Sequence, residues 1–421
     1  MAMHRPYDDS MFTLTSAGAP DPFIKSFRGL YYFTYTAGDR VEIWSSSSLV
    51  DIEESATRHL IWKPPPGTNH SAHIWAPELH SLRGRWYVYY SAANLKQGNQ
   101  SHRMYVLGGP PASEDPCSGQ WEFLGQIRDM PDQWAIDGTV FELDDQLYLA
   151  YSGWPLDSSD LYHPGQDYVR SEYGYQTQQN IGYTDDKNHR NSHRNTSMNA
   201  TMGADTSGLT QNLFLIRLND PLTAGSKPSP ISLPRQSWEI TRGANGDHAI
   251  NEGPQWLSSP DGRWRGLVYS CAGSWTHEYK MATLKYRGGE PLDPSSWQKS
   301  QAPLLQTCKR SGSGPFGPGH GSFLDVGEGN MIAVYHATDG PNDGWQNRRA
   351  RVQRVTFTEK GPYMGKSFGI DAHPGNGGGG LFARIKARIT RGKRSRQTEK
   401  PDLRAFLEER QRENQAKRSE I

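Results

Sequence analysis

Apolar and aromatic positions alternate with their neighbours in short runs along this chain, as in Trp86-Tyr87-Val88-Tyr89-Tyr90 and Leu147-Tyr148-Leu149-Ala150-Tyr151, which is the period of a β-strand. Such runs come in pairs split by Gly- or Asp-containing turns, for example Asp144-Asp145 and Asp261-Gly262, and each pair predicts a hairpin. One unit recurs five times: a polar residue, a short strand, a turn and an aromatic strand. The copies start at Asp21, Glu78, Asp137, Glu252 and His320, spaced 57, 59, 115 and 68 residues apart. Near-regular spacing with one long gap is what sheet-like repeats give when one carries an insertion.

Further strands are expected at Val41-Glu42-Ile43-Trp44 and Arg103-Met104-Tyr105-Val106-Leu107, bringing each unit to about four strands. Five four-stranded units around one axis predict an all-β fold, a five-bladed β-propeller over residues 12–370, with the five strand starts at a common centre. From Pro155 to Ser207 the periodicity lapses into Ser, Asp, His, Asn, Gln and Gly, so 155–207 is expected to be a long loop insertion. Regular structure resumes at Asn212 to Leu218, the expected outer strand of that unit. After 371 the Gly375–Gly380 run reads as a hinge, and Leu381 to Ile421 holds 13 Lys/Arg against six Asp/Glu. Residues 371–421 are therefore expected to form a basic tail, flexible or partly helical, with helical spacing at Leu403, Phe406 and Leu407.

Composition narrows the picture without redirecting it. The 44 Gly, 28 Pro and 11% aromatic residues suit a turn-rich β protein. A formal net charge of +1 implies no polyanionic partner, and so no nucleic acid, for the body, and leaves the partner of the tail unspecified. No stretch approaches the ~18 apolar residues of a membrane span, so no membrane partner is expected. The first residues lack the apolar core of a secretory signal and, read literally, the chain stays in the cytosol. Cys117, Cys271 and Cys308 have neither disulfide parity nor metal-like spacing. Sequons begin at Asn69, Asn99, Asn195 and Asn199, a number that a Ser- and Asn-rich chain yields by chance.

Four of the five strand starts are carboxylates, Glu78 among them, and a ring of repeats would bring Asp21, Asp137 and Glu252 together. Asp21 stands between Pro20 and Pro22, which stiffen the backbone and deny it ladder pairing; it could be aimed at a water molecule or could simply cap a turn. Asp137 heads an otherwise apolar strand, where a charge needs a partner or a function. Glu252 is followed by Gly253 and Pro254, a rigid setting for close approach. His320, among Gly317, Gly319 and Gly321, could bind substrate, hold a metal-bound water or serve as a structural histidine. Trp75, Trp134, Trp154 and Trp275 recur near the same strand ends, where aromatic faces suit stacking on a sugar, although a Trp in a β protein also serves as core.

At these residues the chain resembles glycoside hydrolase family 43, the five-bladed propeller arabinofuranosidases and xylosidases. The likeness is carried by Asp21-Pro22-Phe23, His73-Ile74-Trp75-Ala76-Pro77-Glu78-Leu79-His80, Trp134-Ala135-Ile136-Asp137-Gly138-Thr139, Asn251-Glu252-Gly253-Pro254-Gln255 and Gly317-Pro318-Gly319-His320, in the family's order. The run from His73 to His80 is most similar to exo-acting α-L-arabinofuranosidases. The resemblance implies that Asp21 is the general base, Glu252 the general acid and Asp137 the carboxylate that orients the acid and raises its pKa. It implies that Trp75, Trp154, Trp275 and His320 face a plant cell-wall oligosaccharide or polysaccharide, and that His320 holds a cation, often calcium, through water. No other cofactor is implied. Family members are commonly secreted. The chain departs from the pattern at Gly321, where many relatives have Asn, in the length of 155–207, and in the basic tail.

The activity expected is inverting removal of terminal α-L-arabinofuranosyl units from arabinan or arabinoxylan fragments. Inversion needs two carboxyls roughly 6.5–9.5 Å apart with a water between them. A β-xylosidase with the same three acids, a non-catalytic sugar-binding propeller and a scaffold recruited through its tail are the alternatives.

Overall fold

In a computed structural model of the chain, the described residues are 11–156, 210–242, 247–307, 315–327, 329–365 and 403–419. They are mostly strand with few helices, and each repeat forms a hairpin: Phe23–Phe27 with Leu30–Thr34, Ala72–Leu82 with Arg85–Ala93, Ala135–Leu143 with Gln146–Gly153, His248–Ser258 with Arg265–Cys271, and Phe316–Asp325 with Met331–Thr338. A third antiparallel strand joins each hairpin: Val41–Ser46, Arg103–Pro111, Thr210–Asp220, Lys280–Tyr286 and Arg349–Thr358. Fourth strands lie beyond these, at Thr57–Trp62, Glu122–Gln126, Ser229–Ser232 and Trp297–Lys299. The runs at Val41, Arg103 and Asn212, expected to be outer strands, are thus third strands. A fourth strand carries too few apolar residues to register as a periodic run.

The fifth group takes its fourth strand from the opposite end of the chain. Met11–Thr13 pairs with Arg349–Thr358, Phe12 opposite Val352. A short parallel pairing, Thr210 with Ala249 and Gln211 with Ile250, connects the third and fourth groups into one sheet.

Period-2 alternation explains the core, because successive side chains point to opposite faces of a sheet. Tyr31 and Phe33 enter a cluster with Leu324, Ile332 and Val334 of the fifth group, whereas Tyr32 between them packs with Ile74, Leu79 and Trp86 of the second. Leu147, Leu149 and Tyr151 likewise face the second group, and Tyr148 and Ala150 the fourth. A further cluster joins the fourth group to the fifth through Val268, Met281, Ala333 and Tyr335. Neighbouring groups therefore share a core from first to fifth and back to first. Both faces of the inner strands are buried, which is why those strands are so aromatic.

The tail contributes a packed element. Leu403–Ser419 is a helix whose Leu403 and Leu407, each 1% exposed, complete the cluster between the first and fifth groups. Arg404 pairs with Asp51 at 3.4 Å, and the Arg354 guanidinium lies over the Phe406 ring. A helix with i, i+4 leucines thus docks on the body, where a solvated extension was the plainer expectation. Residues 157–209, 366–402 and Cys308, with the insertion, the glycine hinge and two of the sequons, lie outside the described residues. Cys117 and Cys271 are free thiols. Among the described residues no helix is long and apolar enough to cross a membrane.

Candidate active site

Each of the five repeats turns left-handed in or just before its first strand. Asp21, Ala76, Asp137, Gly253 and His320 take positive φ values of 54°, 45°, 57°, 54° and 49°, the left-handed region that side chains other than Gly seldom adopt. Register shifts accompany four of them, between Trp75 and Glu78, Ile136 and Thr139, Glu252 and Gln255, and Gly319 and Ser322. Bulges re-aim side chains away from the sheet, and here they point at one pocket of ≈ 580 Å³ including its mouth. The second repeat places Ala76 at this turn, so Glu78 sits two residues further along its strand.

Asp21, Asp137, Glu252 and His320 all line that pocket, as does Trp75. The other two proposed sugar-facing tryptophans do not. Trp154 is 3% exposed and stacks behind Trp134, ring centroids 4.9 Å apart and planes within 8°, so Trp134 presents the aromatic face and Trp154 backs it. Trp275 stands outside the lining and touches it edge-on through Trp345 at 6.4 Å. Trp345 meets Trp75 in the same way, also at 6.4 Å. Asn99, 6% exposed, lines the pocket and accepts a 3.3 Å bond from Trp134 Nε1, a position closed to glycosylation.

Asp21 is the most heavily held group. Its Oδ2 accepts from Thr36 Oγ1 at 2.7 Å, and Thr36 Oγ1 accepts the Ala76 N–H at 2.7 Å. Its Oδ1 lies 3.3 Å from both Arg348 Nη1 and His320 Nδ1, and its backbone N–H donates to His336 Nδ1 at 3.1 Å. Burial alone would raise this carboxyl; Arg348, then His320 and His336, outweigh it and hold Asp21 well below the usual carboxylate range. Burial lowers both histidines, His336 to about 3, so both are neutral imidazoles at neutral pH.

The other two carboxyls are driven the opposite way. Glu252 is pushed up to about 7, by burial first, with Asp21 adding repulsion and Tyr279 and Arg348 opposing. Asp137 is raised well above its ordinary value by burial, then by Glu252 and Asp21, although the Gly253 N–H donates to its Oδ2 at 3.1 Å. Asp21, held ionised, repels the charged forms of both. Gly253 is required here: besides its φ of 54°, a Cβ would lie 3.1 Å from His320 Nδ1. At Gly321 a Cβ would lie 2.9 Å from Met281 Sδ, so the Asn common in relatives would need that side chain to move.

A directly bound cation does not fit. Calcium takes six to eight oxygen ligands, and among the described residues no three His, Cys, Asp or Glu side chains converge as a cage. His320 turns Nδ1 to Asp21, so Nε2 is the nitrogen with which it would hold a water-bound cation. No chemical step is assigned to a metal. Arg348, Trp345 and His336 were not singled out from sequence. The first two come from Trp345-Gln346-Asn347-Arg348, the turn between the second and third strands of the fifth group, and the corresponding turn of the second group brings Asn99 to the same pocket. Their signal was a Trp and an Arg three apart beside glycine-rich sequence.

An ionised carboxylate and a protonated one in a single aromatic-walled pocket define a site for acid–base cleavage of a glycosidic bond. The sequence model of glycosyl hydrolases family 43 matches residues 14–190 and 195–363, and the chain belongs to that family, a glycoside hydrolase by descent. It is 29% identical over 367 residues to an extracellular exo-α-(1→5)-L-arabinofuranosidase of Streptomyces avermitilis, covering 84% of this chain and 62% of that one. Identity is 30% over 325 residues with the enzyme of the same name from Streptomyces chartreusis, covering 75% and 79%. The crystal structure of an α-L-arabinofuranosidase from Lactobacillus brevis superposes with a TM-score of 0.63 at 26% identity, covering 86% of this chain and 97% of that one.

Proposed function

We propose that residues 12–370 form a five-bladed β-propeller and that this propeller is an inverting exo-α-L-arabinofuranosidase acting on arabinan or arabinoxylan oligosaccharides. Residues 371–421 are then a hinge and a tail whose helix fastens the first blade to the fifth. The five strand groups, and the cores that join each to the next, support the architecture. One observation carries the activity: within a single pocket Asp21 is held ionised while Glu252 is raised to about 7. A general base and a general acid must differ in this sense to work at the same pH.

In the reaction Glu252 gives its proton to the departing glycosidic oxygen. Asp21 accepts a proton from water as the water oxygen bonds to the anomeric carbon from the opposite face. The sugar leaves with inverted configuration, Asp21 gives its proton up to solvent and Glu252 takes one back. Asp137, through the Gly253 N–H, fixes the bulge that aims the acid. Arg348 keeps Asp21 charged but also weakens it as a base; a substrate hydroxyl that draws the guanidinium away would restore basicity as the sugar seats. Trp75, Trp134 and Trp345 supply the apolar walls. The names of the relatives favour exo action on arabinofuranosides.

The test is hydrolysis of 4-nitrophenyl α-L-arabinofuranoside and β-D-xyloside, with Glu252→Gln as control and proton NMR of the first-formed sugar. Cleavage of the arabinofuranoside with inversion, abolished by the substitution, is expected. Preference for the xyloside would transfer the function to a β-xylosidase, and retained configuration would sink the mechanism.

A further inference from the structure

Glu78 is a carboxyl that the hydrolytic chemistry leaves unused. It is 2% exposed, lies beneath the level of Asp21, Asp137 and Glu252, and its partners come from three strand groups. Its Oε1 accepts from Gln255 Nε2 of the fourth group, and the Thr139 hydroxyl of the third also bonds it. Its Oε2 meets His80 Nε2 of its own strand at 2.8 Å.

The identity of these partners is what matters. Pairing in the fourth group jumps from Glu252 opposite Ser270 to Gln255 opposite Val268, so Gln255 is the residue at which the ladder resumes after the bulge that carries Glu252. In the third group pairing jumps from Ile136 to Thr139, so Thr139 closes the bulge that displays Asp137. Glu78 itself closes the bulge of the second group. Ladder-resumption residues of three strand groups therefore meet here, two of them at the buried carboxyl of the third.

We propose that Glu78 is a positioning residue that ties the bulges bearing Asp137 and Glu252 to the second strand group and thereby sets the aim of the acid. This rests on the hydrolase reading above. Burial raises the Glu78 carboxyl well above its ordinary value and lowers His80 to about 3, with Lys25 adding to the latter, so both shifts favour an uncharged pair joined by one hydrogen bond.

Gln255→Met and Glu78→Met each remove one end of the tie at nearly constant volume, while Glu78→Gln keeps an uncharged acceptor toward Gln255 and a donor toward His80. Each is assayed on aryl α-L-arabinofuranosides whose phenols differ in acidity, because a misplaced acid hurts poor leaving groups most. The Met variants are expected to lose about 10–100-fold in kcat on the least acidic phenol, under ~3-fold on 2,4-dinitrophenol, with KM within about 2-fold. Glu78→Gln should match the wild type, and the double Met variant should be no worse than either single one. Equal losses across all phenols, or a Glu78→Gln variant as impaired as Glu78→Met, would overturn the proposal. If the wild type cleaves aryl β-D-xylosides instead, the sugar assignment falls and the same leaving-group series on xylosides decides the role of Glu78.

Discussion

Replacing Arg348 by Met removes the nearest cation from Asp21 while keeping the length of the side chain. The guanidinium Nη1 stands 3.3 Å from Asp21 Oδ1, and both groups are largely buried. Two unit charges at that distance attract by about 5 kcal/mol at an effective dielectric of ~20 and by about 1 kcal/mol in water. At 1.36 kcal/mol per pKa unit, the loss raises the Asp21 pKa by roughly 1 to 4 units. In the wild type the Asp21 carboxyl is held so low that kcat/KM should show no acid limb while the protein stays folded. The variant should bring that limb into view, with activity falling on the acid side between about pH 5 and 3. Arg348 also opposes the upward shift of Glu252, so the alkaline limb should move up as well and the whole bell travel toward higher pH. Stability follows the same sign. Asp21 has a depressed folded pKa, so its contribution is present above the unfolded carboxylate value and is lost as pH falls toward the folded one; the variant should be the less stable protein at pH 5 and above, and the difference should shrink in acid. The assay is kcat/KM on 4-nitrophenyl α-L-arabinofuranoside from pH 3 to 9. A profile that keeps both limbs in place while falling in height would assign Arg348 to substrate binding and refute the electrostatic role.

Gly253→Ala should destabilise the fold by about 1–3 kcal/mol, measured by urea denaturation, because it forces a Cβ into the left-handed region and against His320; the loss of activity should exceed what the unfolded fraction accounts for. Trp345→Ala removes the wall between Trp75 and Trp275 and should raise KM by about 10-fold, the equivalent of ~1.4 kcal/mol, with a smaller change in kcat; an unchanged KM would remove Trp345 from the binding wall. Leu407→Ala, a change at a side chain 1% exposed between the first and fifth strand groups, should cost about 2–5 kcal/mol in urea unfolding while leaving the kcat of the folded fraction unaltered.

Much of the architecture was legible because repetition and alternation are properties of the sequence. The five hairpins, three of the five third strands and the helix at Leu403 to Leu407 lie where apolar spacing puts them. What alternation cannot tell is what each face meets. Tyr31 and Tyr32 look alike in the chain, yet one packs on the fifth group and the other on the second. Nor does periodicity reveal that Met11–Thr13 pairs with a strand some 340 residues away, since a three-residue strand carries too little pattern to register.

The site divides along the same physical line. Asp21, Asp137, Glu252 and His320 were readable because each begins a repeated unit, and the repeat brings its starts together. Arg348 and Trp345 belong to a turn between strands rather than to the repeated strand start, and their place at the pocket follows from how that turn folds over it. Trp154 shows the converse: its place near a strand end matched the pattern, but the face it was expected to offer is covered by Trp134. Glu78 was counted as a strand start with the catalytic carboxylates because spacing by residue number cannot see a bulge. Each bulge adds a residue on one strand only, so equivalence by sequence slips by one or two positions where the backbone turns left-handed. That slip separates the carboxyls that line the pocket from the one buried beneath them. Asp21, Asp137 and Glu252 stand at or beside a positive-φ residue, whereas Glu78 lies two positions past one, so distance from the left-handed turn sorts these acids better than place in the motif does.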